Sequence, residues 1–429
     1  MEVIKDALFL LLTPVMLLGF HYHPSLTAKQ RILFAGFLAA VIVACGIRNG
    51  QIMYSNIAHP PRWDFVLFWL YGRVATQGLN FYEPEHALKL AEQHQLSVDP
   101  IGTWFLYPPQ TMFLFAPLGW FDIQTAHLFW YILMSSVLVL DMILLWKIFL
   151  RGSGLTGLML TAALVLTLKV TSMIIYFGQT IFIVLLMLLL FWRERERLRS
   201  GIWLTLGLFV KPVLALLPMV LVLQRNWRAM MSAVGAVVLI SALAMIAFGA
   251  ETFWDFFTVR PAANLPGDVY ADPTNQSLLA TVLRLTGDDL HGATPLFRAV
   301  FGVLSLLLAA LTGWLVFRLG PDHADWALSL TLALALLIYP GALEHYSLLL
   351  IAPMLLLWAR RQELIGGAWG VVGFMTLEYA LIRGHYAFMA NALAWAALAG
   401  IGAWMIGRRA APSIAALLAS FPSEGLEPG

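Results

Sequence analysis

Long apolar blocks parted by short basic clusters dominate the pattern of this chain. A helix needs about 20 residues to cross a bilayer, and short basic loops stay on the cytoplasmic side. By that rule spans are expected at 32–48, 125–148, 155–175, 178–192, 228–248, 295–317, 326–342, 345–359, 366–382 and 387–407. Between them lie Lys29 with Arg31, Lys147 with Arg151, the run Arg193, Arg195, Arg197 and Arg199, Arg225 with Arg228, Arg318, Arg360 with Arg361, and Arg408 with Arg409. All of these fall on one side if the parity of crossings is kept. The segment Ile202–Leu223 tests that parity, because it is long enough to cross yet lies between two basic clusters. A re-entrant hairpin broken at Lys211-Pro212 resolves the conflict, since proline removes a helix donor and clashes with the preceding turn.

Two segments are left on the outer side, 49–124 and 249–294. In the first, Phe65–Tyr71 is almost wholly apolar, Gly72 and Gly78 loosen it, and Pro84-Glu85-His86 opens a polar helix that runs through His94. An apolar stretch followed by a polar helix reads as backbone lying flat in the interface. Trp63, Trp69, Tyr71, Tyr82 and Trp104 are then expected at headgroup level, forming a shelf beside a lipid entrance. The plainer alternative is a lid packed on the bundle.

Composition fixes the class. With 429 residues, 60% hydrophobic and only 12% charged, and a mean hydropathy of +0.80, the chain holds more apolar surface than a soluble core can hide. The expected fold is an all-α polytopic membrane protein, one integral domain over 1–409 followed by a short cytoplasmic tail at 410–429. The apolar run Ala7–Phe20 lacks a basic flank and a cleavage signal, so it reads as a retained helix. A net charge of +2 implies no nucleic-acid partner. The single cysteine, Cys45, excludes an internal disulfide. No tandem repeat is evident, which counts against most secondary transporters. Oligomeric state is not legible.

Asp64 stands where an apolar run gives way to the first outer segment. A carboxylate there can reach a lipid-borne substrate while its backbone stays anchored; the alternative is a helix-start cap. Arg62 or Arg73 could keep it ionised. Lys169, in the apolar segment Ala162–Phe177, and Lys211, at the hairpin tip, are ammonium groups at lipid depth and so candidates for binding an anion. Snorkelling is the alternative for Lys169, pairing with a buried acid for Lys211. Glu344, His345 and Tyr346 cluster at an outer span end, with Arg383 and His385 on another outer turn. Asn275, Gln276, Ser277 and Arg284 lie in the second outer segment, where sugar or phosphate contact competes with plain helix capping. Glu83 and Glu85 flank a proline turn, and Asp288-Asp289-Leu290-His291 reads as a solvated turn, so no metal site is expected. Zinc-type spacing, Walker motifs and dinucleotide loops are absent from the sequence, against a nucleotide-sugar donor or an ATP-driven pump.

An ordered set of pieces resembles glycosyltransferase family 87 of the GT-C superfamily: Asp64-Phe65, Gly78-Leu79-Asn80-Phe81-Tyr82, Phe105-Leu106-Tyr107-Pro108-Pro109, Ala116-Pro117-Leu118, Gly178-Gln179, Lys211-Pro212, Asn275-Gln276-Ser277-Leu278 and His345-Tyr346. The resemblance implies a GT-C-like bundle of about 10 to 12 transmembrane helices with outer-face interfacial helices in the first long loop. It also implies a polyprenyl-phosphate-linked sugar donor, mannose first, and a lipid or glycan acceptor; no cofactor beyond that donor is expected, and the lack of paired acids points to metal-independent transfer. By the same resemblance Asp64 is the general base of an inverting transfer. The resemblance also points to His345 as a donor contact; with it, Lys211, Arg284, Asn275, Gln276, Lys169 and Gln179 are the expected donor-binding residues from their positions, and Tyr107, Glu344, Tyr346, Arg73 and His385 the expected rim. The chemistry agrees: a departing phosphate monoester needs little protonation, so one base suffices where glycosidases need two carboxyl groups. The implied place is the plasma (inner) membrane, with the site facing the exterior. A transporter or flippase for a lipid or small solute is the competing class, and a scaffolding relative without activity a third.

Overall fold

The computed structural model describes residues 2–59, 64–98, 105–262, 270, 272–287, 294–383 and 386–410. Among them the secondary structure is helical, and the one β-type pairing is an isolated bridge between Asn275 and Leu343. The chain is an all-α polytopic membrane protein. Five segments are each long and apolar enough to cross a bilayer: Ala28–Ala58, Ile123–Thr167, Trp227–Phe248, Pro295–Leu319 and Ala387–Arg408. Their starts are written locally. Thr27 and Gln30 form a capping box, Asp122 accepts from the amides of Gln124 and Thr125, and Asn226 and Thr294 accept from Ala229 and Phe297. Val238, Ile246 and Leu306 are exposed on these helices, as side chains that meet lipid must be.

In chain order the helices used below are α1 (Glu2–Tyr22), α2 (Ala28–Ala58), α3 (Asp64–Thr76), α4 (Pro84–Gln93), α5 (Ile123–Leu145), α6 (Gly154–Thr167), α7 (Lys169–Phe177), α8 (Ile181–Arg193), α9 (Ser200–Val210), α10 (Leu217–Leu223), α11 (Trp227–Phe248), α12 (Ala250–Ala262), α13 (Leu278–Thr286), α14 (Pro295–Leu319), α15 (Ala324–Ile338), α16 (Ile351–Ala359), α17 (Gly367–Arg383) and α18 (Ala387–Ala410).

Several expected spans are interrupted. The one at 155–175 breaks at Leu168, whose backbone is extended (φ −60°, ψ 128°), so Lys169 begins a new helix. α7 and α8 then meet at 119° across Gly178–Thr180, a bent pair that makes a sixth crossing if counted as one. α15, the turns over Glu344–Leu350 and α16 are short but almost wholly buried. Surrounded by protein, they need not match the bilayer in length.

The Lys211-Pro212 break lies where the sequence placed it. α9 stops at Lys211 (φ −149°, ψ 121°), and the orphan carbonyl of Phe209 accepts from the Thr111 hydroxyl at 2.5 Å. α10 leads back to its starting end, where the Asn226 amide donates to the Arg195 carbonyl at 2.6 Å. The segment enters and leaves on one side.

The shelf at headgroup level is corrected. Trp69, Tyr71 and Tyr82 are buried, at 1%, 2% and 3% exposure, with Trp69 donating to the Phe121 carbonyl and Tyr82 to that of Tyr107. α3 is apolar on every side, and such a helix has no face to give to water. The amphipathic α4 covers it, burying Ala87, Leu90 and Ala91. Trp63 and Trp104 lie outside the described residues.

Candidate active site

α3 is fixed by a contact that only glycine permits. A Cβ on Gly72 would lie 2.2 Å from the Phe115 carbonyl oxygen, and one on Gly119 would lie 2.4 Å from the Gly72 backbone, so helix and chain touch directly. Phe68 stacks on Phe115 at 4.3 Å between ring centroids, and Phe65 stacks on His127 at 3.9 Å. The first residue of this locked helix is Asp64.

Gly178 docks against the next residue along. It adopts φ +69°, and an added Cβ would meet the Phe65 Cβ at 2.7 Å, while its carbonyl accepts from Trp130 Nε1 at 2.8 Å. The turn therefore delivers Gln179, 1% exposed, to the Asp64 carboxylate, which accepts a hydrogen bond from its side-chain amide. Asp64 is partly exposed. Burial raises its carboxyl above the ordinary aspartate value, opposed by the Lys211 charge, the Gln179 amide and its own backbone amide.

Lys211 reaches the same place from the helix break. Its Nζ donates to the Tyr107 hydroxyl at 2.6 Å and lies 4.7 Å and 5.1 Å from the ring centroids of Tyr107 and Tyr346. Two aromatic faces and a hydroxyl thus replace water around a 5% exposed ammonium. Burial first, and then the charge of Asp64, hold the Tyr107 phenol well above its usual value, so it stays protonated. Tyr339 stacks on Tyr346 at 6.2 Å, and His345 meets Tyr346 edge-on at 4.8 Å. Burial first, and then the Lys211 charge, disfavour a proton on the His345 imidazole, which therefore lies within electrostatic reach of the ammonium.

The structure thus gathers Asp64, Gln179, Lys211, Tyr107, Tyr346 and His345. It turns the other candidates elsewhere. Lys169 pairs with Glu344 at 3.9 Å and donates to the Arg383 carbonyl at 3.2 Å, tying α7 to the 344–350 turn and to α17. Asn275 donates to the Pro340 carbonyl, the Gln276 amide nitrogen pairs with Ala342 and its Oε1 accepts from Phe388, and Ser277 caps α13. Arg284, on the exposed side of α13, donates to the carbonyls of Asp272 and Asn275. These residues staple the segment before and along α13 to the 339–344 turn, because a loop reaching across a bundle leaves carbonyls that need donors. Arg73 donates to the Gly119 carbonyl at 2.7 Å, and nine residues of helix, about 13 Å, separate it from Asp64. The counter-charge of Asp64 is Lys211, not Arg73. Arg62, His385 and 288–291 lie outside the described residues. Among the described residues there is no group of three or more His, Cys, Asp or Glu able to hold a metal ion.

Sequence reading missed two things. The Gln179 amide serves the carboxylate from 115 positions away, which no local pattern reveals. Tyr339 joins the aromatic wall from the end of α15.

An all-helical membrane bundle that gathers a carboxylate, an amide and an aromatic-boxed ammonium at interruptions of its helices defines a class: an integral membrane protein with a polar, ionisable site inside its fold. The chain belongs to glycosyltransferase family 87, whose model matches residues 105–340, more than half of its length. That region holds Tyr107, Gln179 and Lys211 and excludes Asp64 and His345. The chain is 29% identical over 301 residues to an alpha-(1->3)-arabinofuranosyltransferase of Mycobacterium tuberculosis, the same in two strains, with 66% of each chain covered. The match therefore spans just under two thirds of those relatives. No solved structure matches.

Proposed function

We propose that this protein transfers a sugar from a polyprenyl-phosphate-linked donor to a hydroxyl of a lipid or glycan acceptor, in one inverting displacement with Asp64 as general base. The observation that carries the reading is the Asp64, Gln179 and Lys211 constellation: a carboxylate and an ammonium within electrostatic reach of one another, each with a different hydrogen-bond partner. Lys211, lacking a tight carboxylate contact, attracts the donor phosphate and stabilises the charge that grows as the anomeric bond breaks. Asp64 takes the acceptor's proton as its oxygen attacks the opposite face. The protonated phenol of Tyr107 and the imidazole of His345 add hydrogen-bond donors or acceptors beside the phosphate.

The donor sugar is a hexose, mannose, by the resemblance of the sequence motifs. A second reading, arabinofuranose, is favoured by the activity for which the mycobacterial relatives are named. Membership of a transferase family sets the transporter reading aside. The site faces the exterior of the plasma membrane, opposite the basic clusters.

The test is transfer in lipid nanodiscs with synthetic polyprenyl-phosphate mannose and polyprenyl-phosphate arabinofuranose offered in parallel, products read by mass spectrometry. Asp64→Asn is expected to lower the rate about 10³-fold while donor still binds. Undiminished transfer by this variant discards Asp64 as base.

A further inference from the structure

Gln179 is set up in an unusual way. Its side chain is 1% exposed; the amide nitrogen is given to Asp64, while Oε1 is buried with no partner among the described residues. Leaving a buried acceptor unpaired forfeits its hydration without repayment, and such an atom calls for a use. The turn that carries Gln179 is over-determined by the left-handed Gly178, its contact with Phe65 and the bond from Trp130, so the amide cannot drift away from the carboxylate. Turning the amide about its last side-chain bond exchanges Nε2 for Oε1 beside Asp64, and since Oε1 has no partner among the described residues, the turn gives up only the bond to Asp64.

We propose that Gln179 is a positioning residue that holds Asp64 in both of its charge states by turning its amide over during the reaction. This rests on Asp64 being the base. Before transfer the amide N–H donates to the carboxylate. In transfer the acceptor O–H bond breaks and its proton goes to Asp64, while the acceptor oxygen forms the new bond to the anomeric carbon. The bond from that carbon to the phosphate oxygen breaks with its electron pair, leaving polyprenyl phosphate with one more negative charge. Asp64 is now a neutral acid with an O–H to give, and the turned Oε1 accepts it. The carboxyl group keeps its place through the cycle, until the proton passes to water.

The chemistry forecasts different results for different substitutions. Gln179→Ala removes both hydrogen bonds and leaves Asp64 free to rotate. It should lower kcat about tenfold and move the acid limb of the kcat profile up by about one pH unit, with donor KM nearly unchanged. Gln179→Glu keeps the shape and can share a proton with Asp64, but adds a like charge; its acid limb should move up further than that of the alanine variant. Gln179→Met keeps volume without polarity and should match alanine in kcat and pH profile, separating polarity from packing.

The experiment is the pH dependence of kcat and donor KM for these variants and Asp64→Asn, with the donor shown to be used by the parent protein. If Asp64→Asn is inactive and the Gln179 variants keep the parental acid limb and kcat but raise donor KM, Gln179 contacts the donor and the proposal is overturned with the base assignment intact. If Asp64→Asn transfers sugar normally, the base assignment itself is what has failed. A methionine variant with parental kcat and acid limb would also sink the proposal, since packing alone would then suffice.

Discussion

α8 and α9 are neighbouring antiparallel helices, and a carboxylate stands at each end of the pair. At one end is Asp64; at the other is Glu194, 4% exposed. Glu194 accepts from Arg199 at 2.5 and 2.7 Å, from Arg193 at 3.1 Å and from Trp203 Nε1 at 3.1 Å. Nearby, Asp325 takes Arg195 at 3.0 Å and Trp192 at 2.8 Å. Burial would raise the Glu194 carboxyl, but Trp203, Arg199 and Arg193 outweigh it and hold it below the ordinary value. Asp64 has one amide, its own backbone and a cation at a distance, and is held above the ordinary value. The same functional group is saturated at one end and under-satisfied at the other. Saturation makes a fastener; under-satisfaction leaves an oxygen free to take a proton.

The contrast can be broken most severely at the Asp64 end. Lys211→Met removes the nearest positive charge, and donor KM is expected to rise about a hundredfold. Because Lys211 lowers the Asp64 pKa, its loss raises that pKa further, so the acid limb of the rate profile moves to higher pH. A limb that stays in place shows the two groups to be uncoupled.

Gly178→Ala comes next. Its left-handed backbone and 2.7 Å approach to Phe65 make any side chain strained, at about 2 kcal/mol or more. Thermal unfolding should show the loss, and residual activity should carry the pH profile of the Gln179 variants, because both displace the same amide.

The smallest effect is forecast at the Glu194 end. Glu194→Gln should cost about 1 kcal/mol, since its arginine partners are about half exposed and can rehydrate. Turnover per folded molecule should not change. A carboxyl with a lowered pKa stabilises the fold at neutral pH, and that contribution is lost as pH falls through its folded value. The glutamine variant should therefore lose stability less steeply on acidification, measured by thermal midpoints from pH 7 to pH 3. A steeper loss would reverse the roles given to the two ends.

What was legible in sequence follows the same division. The Lys211-Pro212 break could be read because proline acts locally, and Asp64 because a carboxylate is rare at the edge of apolar blocks. The burial of Trp69 and Tyr71 was also written there, in a helix apolar all round, yet their aromatic character argued for headgroup level and misled. Arg284, Asn275 and Gln276 looked like ligands because polar side chains that reach a sugar and those that reach a backbone carbonyl are the same side chains. Only tertiary placement separates the two uses. The partnership of Asp64 with Gln179 was beyond reach, for it depends on how a 119° bend aims one amide.

The meeting of Gly72 and Gly119 has a consequence for how such a chain can change over time. Each occupies the room that the other's side chain would need, and nothing smaller exists to compensate, so neither can be replaced first. Drift at this crossing is closed from both directions. Any descendant that keeps the helix seated this way must retain both glycines, however far the rest of its surface has wandered.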